Sequence, residues 1–553
     1  MLKDFAASNN LGQCGNVAVM GRVTDPLAGQ LPGPLAGRVE DPLSQVEADG
    51  KPREECGVFG VWAPGEDVAR MTYFGLYALQ HRGQEAAGIA VTDGEKILVY
   101  KDMGLVSQVF DDKSLGVLSG HVAVGHVRYA TQGASNWENA QPTLGPTAFG
   151  TLALAHNGNL VNTRELIAEI QSRFGGEDLS DALGRGSTTD TTVITALVNH
   201  VSRQVAVSGG EAPLLSTMME VLPRLSGAFS LAFMDEGTLY AARDPHGFHP
   251  LVLGRLDNGW VVASETAALD IIGATFVREI APGELLAINA SGVSSRHFAE
   301  ADPAGCIFEY VYLARPDTAI AGTSVVAARR AMGAALAAEH AVDADLVMPT
   351  PDSGTPAAIG YAEASGIPFA QGLVKNAYVG RTFIQPTQTM RQMGIRVKLN
   401  PLRSVVAGKR LVVVDDSIVR GNTQRALVRM LREAGAVEVH VRISSPPVTW
   451  PCFYGIDFAT RAELIASGMS IEEIRTSIGA DTLGFLSEDG MIEATGQARS
   501  DLCTACFTGV YPVEVPGFEG ITGGAGVADA VSGTIAVSEA GGMSPSQNES
   551  QNN

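Results

Sequence analysis

The chain has 553 residues, of which 45% are hydrophobic, and a formal net charge of −21 at pH 7. This length is sufficient for two or three domains with separate cores. The negative charge opposes a general attraction to phosphate backbones and so argues against nucleic acid as a partner. No apolar run reaches the roughly 18 residues of a membrane-spanning helix, so we expect a soluble protein without a membrane partner.

The cysteine content indicates a reducing compartment. Six cysteines are too few for a disulfide scaffold in so long a chain. The N-terminus also lacks the basic segment and the apolar core of a secretory signal. We therefore expect a cytoplasmic protein.

The two ends of the chain differ from the rest in composition. Residues 1 to about 52 are rich in Gly, Pro, Asp and Ala without periodicity, and residues 516–553 are rich in Gly, Ser, Asn and Gln. Such segments do not form a packed core. We expect residues 1–55 to be a propeptide that is removed and residues 516–553 to be a disordered tail. Cys14 lies in this leader, and we expect no role for it.

Cys56 begins the first strand-like segment, directly after Glu55. A cysteine at a chain terminus combines a thiol nucleophile with an α-amino group whose pKa lies near neutrality. Inside a chain, the same nitrogen is an amide and cannot act as a base. The sequence therefore predicts cleavage after Glu55 and a nucleophilic role for Cys56. The plain alternative is an ordinary buried thiol.

The first half of the chain has the pattern of an α plus β protein. Short apolar runs separated by turns predict buried strands, and they cover residues 56–62, 122–127, 152–155, 229–234 and 260–264. A helical pattern covers residues 189–201. We expect stacked sheets flanked by helices.

Polar residues near these strands suit the recognition of an amino acid. Asn157 and Gly158 can supply an oxyanion hole. Arg128 suits an α-carboxylate through its bidentate fork, and Asp190 suits an α-ammonium group. Taken singly, Arg128 is as well explained by a surface ion pair, and residues 156–158 by a turn.

In the second half, strands alternate with helices. The clearest unit has a strand at residues 409–414, a loop at 415–422, a helix at 423–434 and a further strand at 437–443. This βαβ pattern predicts a parallel sheet with ligands at the carboxyl ends of its strands.

The loop of this unit has the features of a phosphate site. Backbone N–H groups ahead of a helix bind anions, Gly421 permits close approach, and Ser417 and Thr423 add hydroxyls. Asp415 and Asp416 suit sugar hydroxyls or a metal ion. In isolation, such an acidic pair would merely begin a turn.

The remaining cysteines form a second pattern. Cys306, Cys452, Cys503 and Cys506 could hold tetrahedral zinc or an iron–sulfur cluster, and their spacing does not decide between the two. The CxxC of Cys503 and Cys506 is also compatible with a redox pair.

These strings resemble known families. Residues 412–423 are similar to the ribose-5-phosphate loop of type I phosphoribosyltransferases. Cys56, with the segments 125–131, 155–160 and 187–191, resembles the glutaminase domain of the N-terminal nucleophile amidotransferases. The segments around the four cysteines resemble those of amidophosphoribosyltransferases that carry a 4Fe-4S cluster. The resemblance extends from Cys56 to about residue 515.

The resemblance implies a fold and an activity. It implies a four-layer αββα N-terminal nucleophile hydrolase domain at residues 56–295, followed by an α/β type I phosphoribosyltransferase domain at 296–515. The implied reaction converts glutamine, phosphoribosyl pyrophosphate and water into 5-phosphoribosylamine, glutamate and pyrophosphate. This is the first committed step of de novo purine biosynthesis, with ammonia channelled between two sites.

The resemblance also implies roles for individual residues. Cys56, Asn157 and Gly158 would be catalytic, and Arg128 and Asp190 would bind glutamine. Phosphoribosyl pyrophosphate would be bound by Asp415, Asp416, Ser417, Ile418, Val419, Arg420, Gly421, Asn422 and Thr423, and by Lys375, Tyr378 and Arg381 on a closing loop. One Mg²⁺ per subunit would be held by Ser353, Asp415 and Asp416, and one 4Fe-4S cluster per subunit by Cys306, Cys452, Cys503 and Cys506. Feedback inhibition by purine nucleotides and a homotetramer are further expectations.

Two other functions would explain parts of the sequence. A different glutamine amidotransferase, making glucosamine phosphate or asparagine, would have a sugar-isomerase or ATP-pyrophosphatase domain in place of the phosphate loop. A regulator that senses nucleotides or oxygen without turnover would not need the set of Cys56, Arg128, Asn157 and Asp190.

Overall fold

The computed structural model describes residues 17–20, 56–129, 136–173, 189–208, 213–376, 399–456, 458, 461–518 and 521–522. The strands of the first half are β1 (Val17–Met20), β2 (Gly57–Trp62), β3 (Ala86–Thr92), β4 (Ile97–Met103), β5 (Val122–Arg128), β6 (Thr143–Thr147), β7 (Gly150–Leu160), β8 (Gly227–Met234), β9 (Leu239–Arg243), β10 (Val252–Leu256), β11 (Gly259–Ala263), β12 (Thr275–Glu279), β13 (Glu284–Asn289) and β14 (Gly292–His297). Its α-helices are α1 (Val68–Ala78), α2 (Val106–Val109), α3 (Asp112–Val117), α4 (Thr163–Arg173), α5 (Asp190–Ser208), α6 (Pro213–Val221) and α7 (Thr266–Asp270).

The second half begins with a short strand that carries Cys306. Its strands are β15 (Gly305–Cys306), β16 (Ala319–Ile320), β17 (Thr323–Ser324), β18 (Leu346–Pro349), β19 (Leu373–Lys375), β20 (Leu399–Pro401), β21 (Arg410–Asp415), β22 (Glu438–Ile443), β23 (Thr482–Phe485), β24 (Leu502–Cys503), β25 (Val510–Tyr511) and β26 (Ile521–Thr522). Its α-helices are α8 (Val325–Glu339), α9 (Thr355–Ser365), α10 (Arg403–Val406), α11 (Asn422–Glu433), α12 (Ile465–Gly468), α13 (Ile471–Ile478), α14 (Glu488–Thr495) and α15 (Ala505–Thr508). A π-helix covers Glu309–Leu313.

The first half is built from two facing sheets with helices on their outer faces. One sheet has the strand order β1-β4-β3-β5-β2-β11-β10-β12, and the other has the order β14-β13-β9-β8-β7-β6. Helices α1 and α7 cover the first sheet, and α4, α5 and α6 cover the second. This is the expected four-layer αββα arrangement.

Side-chain alternation explains the four layers. Along β2, Phe59 packs in the core beneath α1, while Val58 packs between the two sheets. Along β7, Leu154 faces the helices of the second sheet and Ala155 faces the first sheet. Because successive strand side chains point to opposite faces, strands that are apolar at every position are buried on both sides.

The second half contains a parallel sheet of order β18-β21-β22-β23. Along β21, Val412 belongs to the core formed with α8 and α9, and Val413 belongs to the core formed with α11 and α13. Helices therefore cover both faces of this sheet, as in other doubly wound α/β folds. The predicted α/β class of this half is confirmed.

Several predicted boundaries differ from the structure. The predicted strand at 152–155 is part of the longer β7, which continues through Asn157 and Gly158 because both residues pair with β8. The alternative of a turn at 156–158 is therefore wrong. Asp415 ends β21 instead of beginning the loop. The domain boundary at 295/296 stays a prediction, and β14 runs to His297.

Two short strands fall in the predicted leader and tail. β1 pairs in parallel with the edge of β4, and β26 pairs with β25. In β1, the residues Val-Ala-Val-Met favour strand pairing, and the edge of β4 offers unpaired backbone groups.

Among the helices of the described ranges, none combines the length and the apolar character needed to cross a bilayer.

Candidate active sites

Cys56 lies at the start of β2, against the end of β5. Its side chain is buried, with 8% of its surface exposed, and its Sγ is 3.5 Å from the carbonyl oxygen of Tyr129. Gly57 pairs with Val127 across the two strands. This pairing brings Cys56 to the level of Arg128.

The backbone of Cys56 is held by Arg82, which follows α1. Nε of Arg82 donates to the carbonyl oxygen of Cys56 at 3.2 Å. The guanidinium is fully buried and also contacts Glu265 and Glu309. Gly83 allows this approach because a Cβ there would meet backbone atoms of Val127 at 2.6 Å.

The second sheet brings Asn157 and Gly158 to the same end of the sandwich. β7 packs against both β2 and β5, and Nε2 of His126 donates to the carbonyl oxygen of His156 at 3.0 Å. Burial lowers the pKa of His126 to about 3, so this imidazole is neutral and links the two sheets. This link places Asn157 beside β2 and β5, at the end of the sandwich where Cys56 and Arg128 lie.

Asn157 has an unusual environment for a buried amide. Its side chain is completely buried, and neither its nitrogen nor its oxygen has a hydrogen-bond partner within the described residues. A buried amide without partners costs about 1–3 kcal/mol. Such a group is compatible with a ligand that supplies the missing partner.

Gly158 is required by the close approach of β7 and β8. Its φ is +135°, and a Cβ at this position would lie 2.2 Å from the carbonyl oxygen of Ala228. A residue with a side chain would fit here only if one of the two strands moved, so this position requires glycine.

Arg128 is the last residue of β5 and is buried, with 2% of its surface exposed. Its Nη1 lies 3.5 Å from Oε2 of Glu85. The alternative of a surface ion pair is therefore wrong. A buried guanidinium of this kind suits a carboxylate ligand.

Asp190 is the first residue of α5 and is tied to β7. Its carboxylate accepts from the backbone N–H of Leu160 at 3.1 Å and of Thr191 at 2.8 Å, and lies 3.5 Å from Nδ1 of His156. Burial opposes ionisation, but the charge of His156 and these hydrogen bonds outweigh it and hold the pKa of Asp190 below its ordinary value. The group is an anion at neutral pH and suits an ammonium ligand.

A second cluster of polar groups lies at the carboxyl edge of the parallel sheet. Asp415 and Asp416 are buried at the end of β21. Oγ of Ser353 donates to Asp416 at 2.5 Å, and the side chain of Gln424 donates to Asp415. The loop after β18 thus meets the loop after β21, as the topology of a doubly wound sheet requires.

The loop between β21 and α11 is a well-formed anion cradle. Gly421 precedes α11 with a φ of +73°, and Ser417, Ile418 and Val419 are buried. Asn422 and Thr423 form the first turn of α11, whose N–H groups have no partners earlier in the helix.

Three buried polar atoms around this cradle lack hydrogen-bond partners in the described structure: Nε of Arg420, Oγ1 of Thr350 and Oε1 of Gln424. Arg420 also has an Nη2 at 3.7 Å from Glu463. Thr350 and Gln424 were not among the predicted site residues. The position of Thr350 directly after the apolar segment Leu346–Pro349 was the available signal.

Part of the predicted closing loop lies beside this edge. Nζ of Lys375 is 2.5 Å from a carboxylate oxygen of Asp352, and both side chains are exposed. Tyr378 and Arg381 lie outside the described residues.

The four cysteines predicted to hold a cluster converge in space. Cys306 and Cys503 are direct neighbours in the parallel pair β15 and β24, and Cys506 lies on α15, immediately after. Burial raises the pKa of the Cys503 thiol to about 12, and the nearby Cys452 adds to this effect. Within the described ranges, no three His, Cys, Asp or Glu side chains are arranged as ligands of a single metal ion.

The segment around Cys452 also contacts the first half. Nδ2 of Asn159 donates to the carbonyl oxygen of Phe453 at 2.9 Å, and Nε2 of His249 donates to that of Tyr454 at 2.8 Å. The strand that carries Asn157 and Gly158 is therefore anchored directly to the cysteine-rich segment.

Comparisons with known proteins agree with both halves of this description. The family model of the glutamine amidotransferase domain matches residues 126–270. The amidophosphoribosyltransferase of Mycobacterium tuberculosis is 63% identical over 479 residues, which are 85% of this chain and 89% of that protein. The amidophosphoribosyltransferase of Bacillus subtilis is 49% identical over 468 residues, which are 84% of this chain and 95% of that protein.

A solved structure is similar over the same extent. It is glutamine phosphoribosylpyrophosphate amidotransferase from B. subtilis in complex with ADP and GMP, with a TM-score of 0.75 and 48% identity. The match covers 83% of this chain and 98% of that chain.

Proposed function

The chain belongs to the amidophosphoribosyltransferase family, and from this premise we propose how its two halves share the reaction. The enzyme converts glutamine, phosphoribosyl pyrophosphate and water into 5-phosphoribosylamine, glutamate and pyrophosphate. This is the first committed step of de novo purine biosynthesis. The first half releases ammonia from glutamine, and the second transfers it to the sugar.

The nucleophile of the first half is Cys56, made N-terminal by removal of residues 1–55. The α-amino group accepts the thiol proton as Sγ attacks the side-chain carbonyl carbon of glutamine. It then gives this proton to the leaving nitrogen as the C–N bond breaks and the thioester forms. Water then hydrolyses the thioester to glutamate. Asn157 Nδ2 and the N–H of Gly158 donate to the oxyanion that forms in each step. The support for this assignment is the buried Asn157 amide, which has no hydrogen-bond partner among the described residues.

Two buried charges bind the ends of the substrate. Arg128 pairs with the α-carboxylate of glutamine, and Asp190 pairs with its α-ammonium group. Both side chains are held in place by their strand or helix, so little conformational entropy is lost on binding.

The second site binds phosphoribosyl pyrophosphate at the carboxyl edge of the parallel sheet. The residues 417–423 hold the 5-phosphate through backbone N–H groups and hydroxyls. Asp415 and Asp416 accept from the ribose hydroxyls. Nε of Arg420, which has no hydrogen-bond partner in the described part of the chain, is an additional donor for this anion.

Mg²⁺ fits the oxygen donors of Ser353, Asp415 and Asp416, because this ion prefers oxygen ligands together with substrate phosphates. When bound, it neutralises charge on the departing pyrophosphate. One ion per subunit is proposed.

A 4Fe-4S cluster, one per subunit, fits the thiols of Cys306, Cys452, Cys503 and Cys506. Cys306 lies opposite Cys503, Cys452 packs in one cluster with Cys503, and Cys506 follows Cys503 by three residues. Four thiols from three separate segments are a donor set typical of such clusters. When bound, the cluster joins these segments as a structural crosslink.

Ammonia must cross from one half to the other without loss to water. We propose that it passes through the interior between the halves while the segment that contains Lys375, Tyr378 and Arg381 covers the second site. The contacts of Asn159 and His249 with the second half support a fixed relation between the two sites.

The regulatory partners and the assembly are further parts of the proposal. The B. subtilis structure contains ADP and GMP, and we propose that purine nucleotides bind this chain and inhibit it. We also propose a homotetramer in the cytoplasm.

The test is glutamine hydrolysis by the purified protein, measured with and without phosphoribosyl pyrophosphate. We expect hydrolysis to be stimulated by phosphoribosyl pyrophosphate and to yield 5-phosphoribosylamine in equal amount to glutamate. Binding of nucleotides without any hydrolysis of glutamine would instead identify a sensor and contradict the proposal.

A further inference from the structure

Arg82 lies at the centre of a buried charge cluster that joins the two halves of the chain. Its Nη1 is 2.7 Å from Glu265, a residue of the first half. Its Nη1 and Nη2 also form a two-point pair with Glu309 of the second half, at 3.0 Å and 2.6 Å. All three side chains are at most 2% exposed.

The same guanidinium holds the backbone of the nucleophile. Nε of Arg82 donates to the carbonyl oxygen of Cys56 at 3.2 Å. A residue at a chain terminus is connected on one side only, so its orientation depends on contacts of this kind. The direction of Nε is in turn fixed by the two-point pair, because the guanidinium is planar and rigid.

Glu309 also contacts a buried histidine of the first half. It begins the π-helix Glu309–Leu313, and its Oε1 lies 3.4 Å from Nδ1 of His249. His249 donates through its other nitrogen to the carbonyl oxygen of Tyr454, two residues from Cys452. An unbroken series of buried contacts thus connects the cysteine-rich segment to the carbonyl of Cys56.

We propose that Glu309 acts through Arg82 as a positioning residue for the Cys56 nucleophile. The glutaminase site is then incomplete without a carboxylate contributed by the phosphoribosyltransferase half. This inference rests on the proposed role of Cys56.

The positioning of Arg82 depends on the negative charge of Glu309. A buried arginine is stable only when its charge and its donors are matched. With Glu309 neutralised, Glu265 keeps its charge and its contact with the guanidinium, and the guanidinium turns toward it. Nε then moves away from the carbonyl oxygen of Cys56, and the reacting sulfur loses its orientation.

The test is the variant Glu309→Gln in the full chain, with two activities measured. One is synthesis of 5-phosphoribosylamine from glutamine, and the other is synthesis from ammonium chloride, which does not need the glutaminase site. We expect kcat with glutamine to fall about 10- to 100-fold, as for other misplaced reacting groups. The KM for glutamine and the ammonia-dependent rate should stay within about twofold of the unmodified protein.

Glu284→Gln is the matched control. Glu284 is buried in the first half and forms the same two-point pair with Arg278, at 2.7 Å for both contacts, but it does not contact Arg82. We expect this variant to retain its rate with glutamine.

Three results would overturn the proposal: an unchanged rate with glutamine in Glu309→Gln, an equal loss of both activities, or the same selective loss in Glu284→Gln. An equal loss would indicate a purely structural ion pair. Failure of the proposed function itself would appear differently, as an unmodified protein that does not hydrolyse glutamine.

Discussion

At the scale of single residues, Asn157 and Asn162 offer a contrast within one short segment. Asn157 is fully buried and its amide has no partner in the described structure. The amide of Asn162 donates to the carbonyl oxygen of Arg224 at 2.8 Å and accepts from the N–H of Ser226 at 3.1 Å. The first amide is available to a ligand, whereas the second holds the fold together.

We expect Asn157→Ala to lower kcat with glutamine about 10²- to 10³-fold, the usual cost of removing an oxyanion donor. Its free energy of unfolding should change by less than about 1 kcal/mol, because an unsatisfied amide is removed. Asn162→Ala should show the opposite pattern, with about 1–3 kcal/mol of lost stability and an unchanged rate. Steady-state kinetics measures the rate with glutamine, and urea denaturation measures the free energy of unfolding. Similar behaviour of the two variants would contradict the oxyanion assignment.

The residues that sequence reasoning could identify are those inside local motifs. Cys56, Asp415 and the CxxC of Cys503 and Cys506 are recognisable because neighbouring residues define their chemistry. Arg82 and Glu309 were missed because they are 227 residues apart. Only the folded chain brings such distant charges together. The charge of Glu309 within the apolar segment 306–314 was the available signal.

At the scale of elements, the junction of β21 and α11 depends on one glycine. Gly421 has a φ of +73°, and a Cβ there would lie 2.8 Å from Cδ1 of Ile465. Gly479, after α13, has a similar φ of +77°. The nearest atom to a Cβ at Gly479 is 3.9 Å away.

We expect Gly421→Ala to destabilise the protein by about 1–2 kcal/mol, the cost of a left-handed conformation in a residue with a side chain. It should also raise the KM for phosphoribosyl pyrophosphate about tenfold, which corresponds to about 1.4 kcal/mol of lost binding. Gly479→Ala should have a similar effect on stability without any change in this KM. An unchanged KM in Gly421→Ala would exclude the loop as the phosphate site.

The apolar runs and the βαβ pattern of the sequence predicted the bounds of β21 and α11 within a few residues. The strand at 409–414 and the helix at 423–434 correspond to β21 and α11. β7 was predicted too short because it continues through a polar stretch. Its pairing with β8 outweighs the low strand propensity of Asn157 and Gly158.

At the scale of the whole molecule, the cysteine-rich region joins distant segments of the chain. Cys306 and Cys503 pair through β15 and β24. The segment of Cys452 reaches the first half through Phe453 and Tyr454. The proposed cluster at this position would stabilise the contact between the halves.

We expect Cys503→Ser to reduce the iron content and the visible absorption of the purified protein almost to zero. The melting temperature should fall, because metal binding contributes directly to folding stability. Cys14→Ser is the control, since this residue lies in the predicted leader. Iron analysis and thermal denaturation under nitrogen provide the data. Retention of iron in Cys503→Ser would contradict the ligand assignment.

The order of the two halves was predictable because each has a distinct pattern of strands and a distinct set of motifs. Their mutual contacts were not predictable, since a hydrogen bond such as that from Asn159 to Phe453 spans 294 residues. Such contacts depend on how the finished domains pack together.

The most direct test of the account is the intact mass of the protein after incubation with a diazoketone analogue of glutamine, which alkylates a glutaminase nucleophile. We predict a chain that begins at Cys56 and carries one label on that residue. A chain that retains residues 1–55 and still hydrolyses glutamine, or a label on any other residue, would contradict the account.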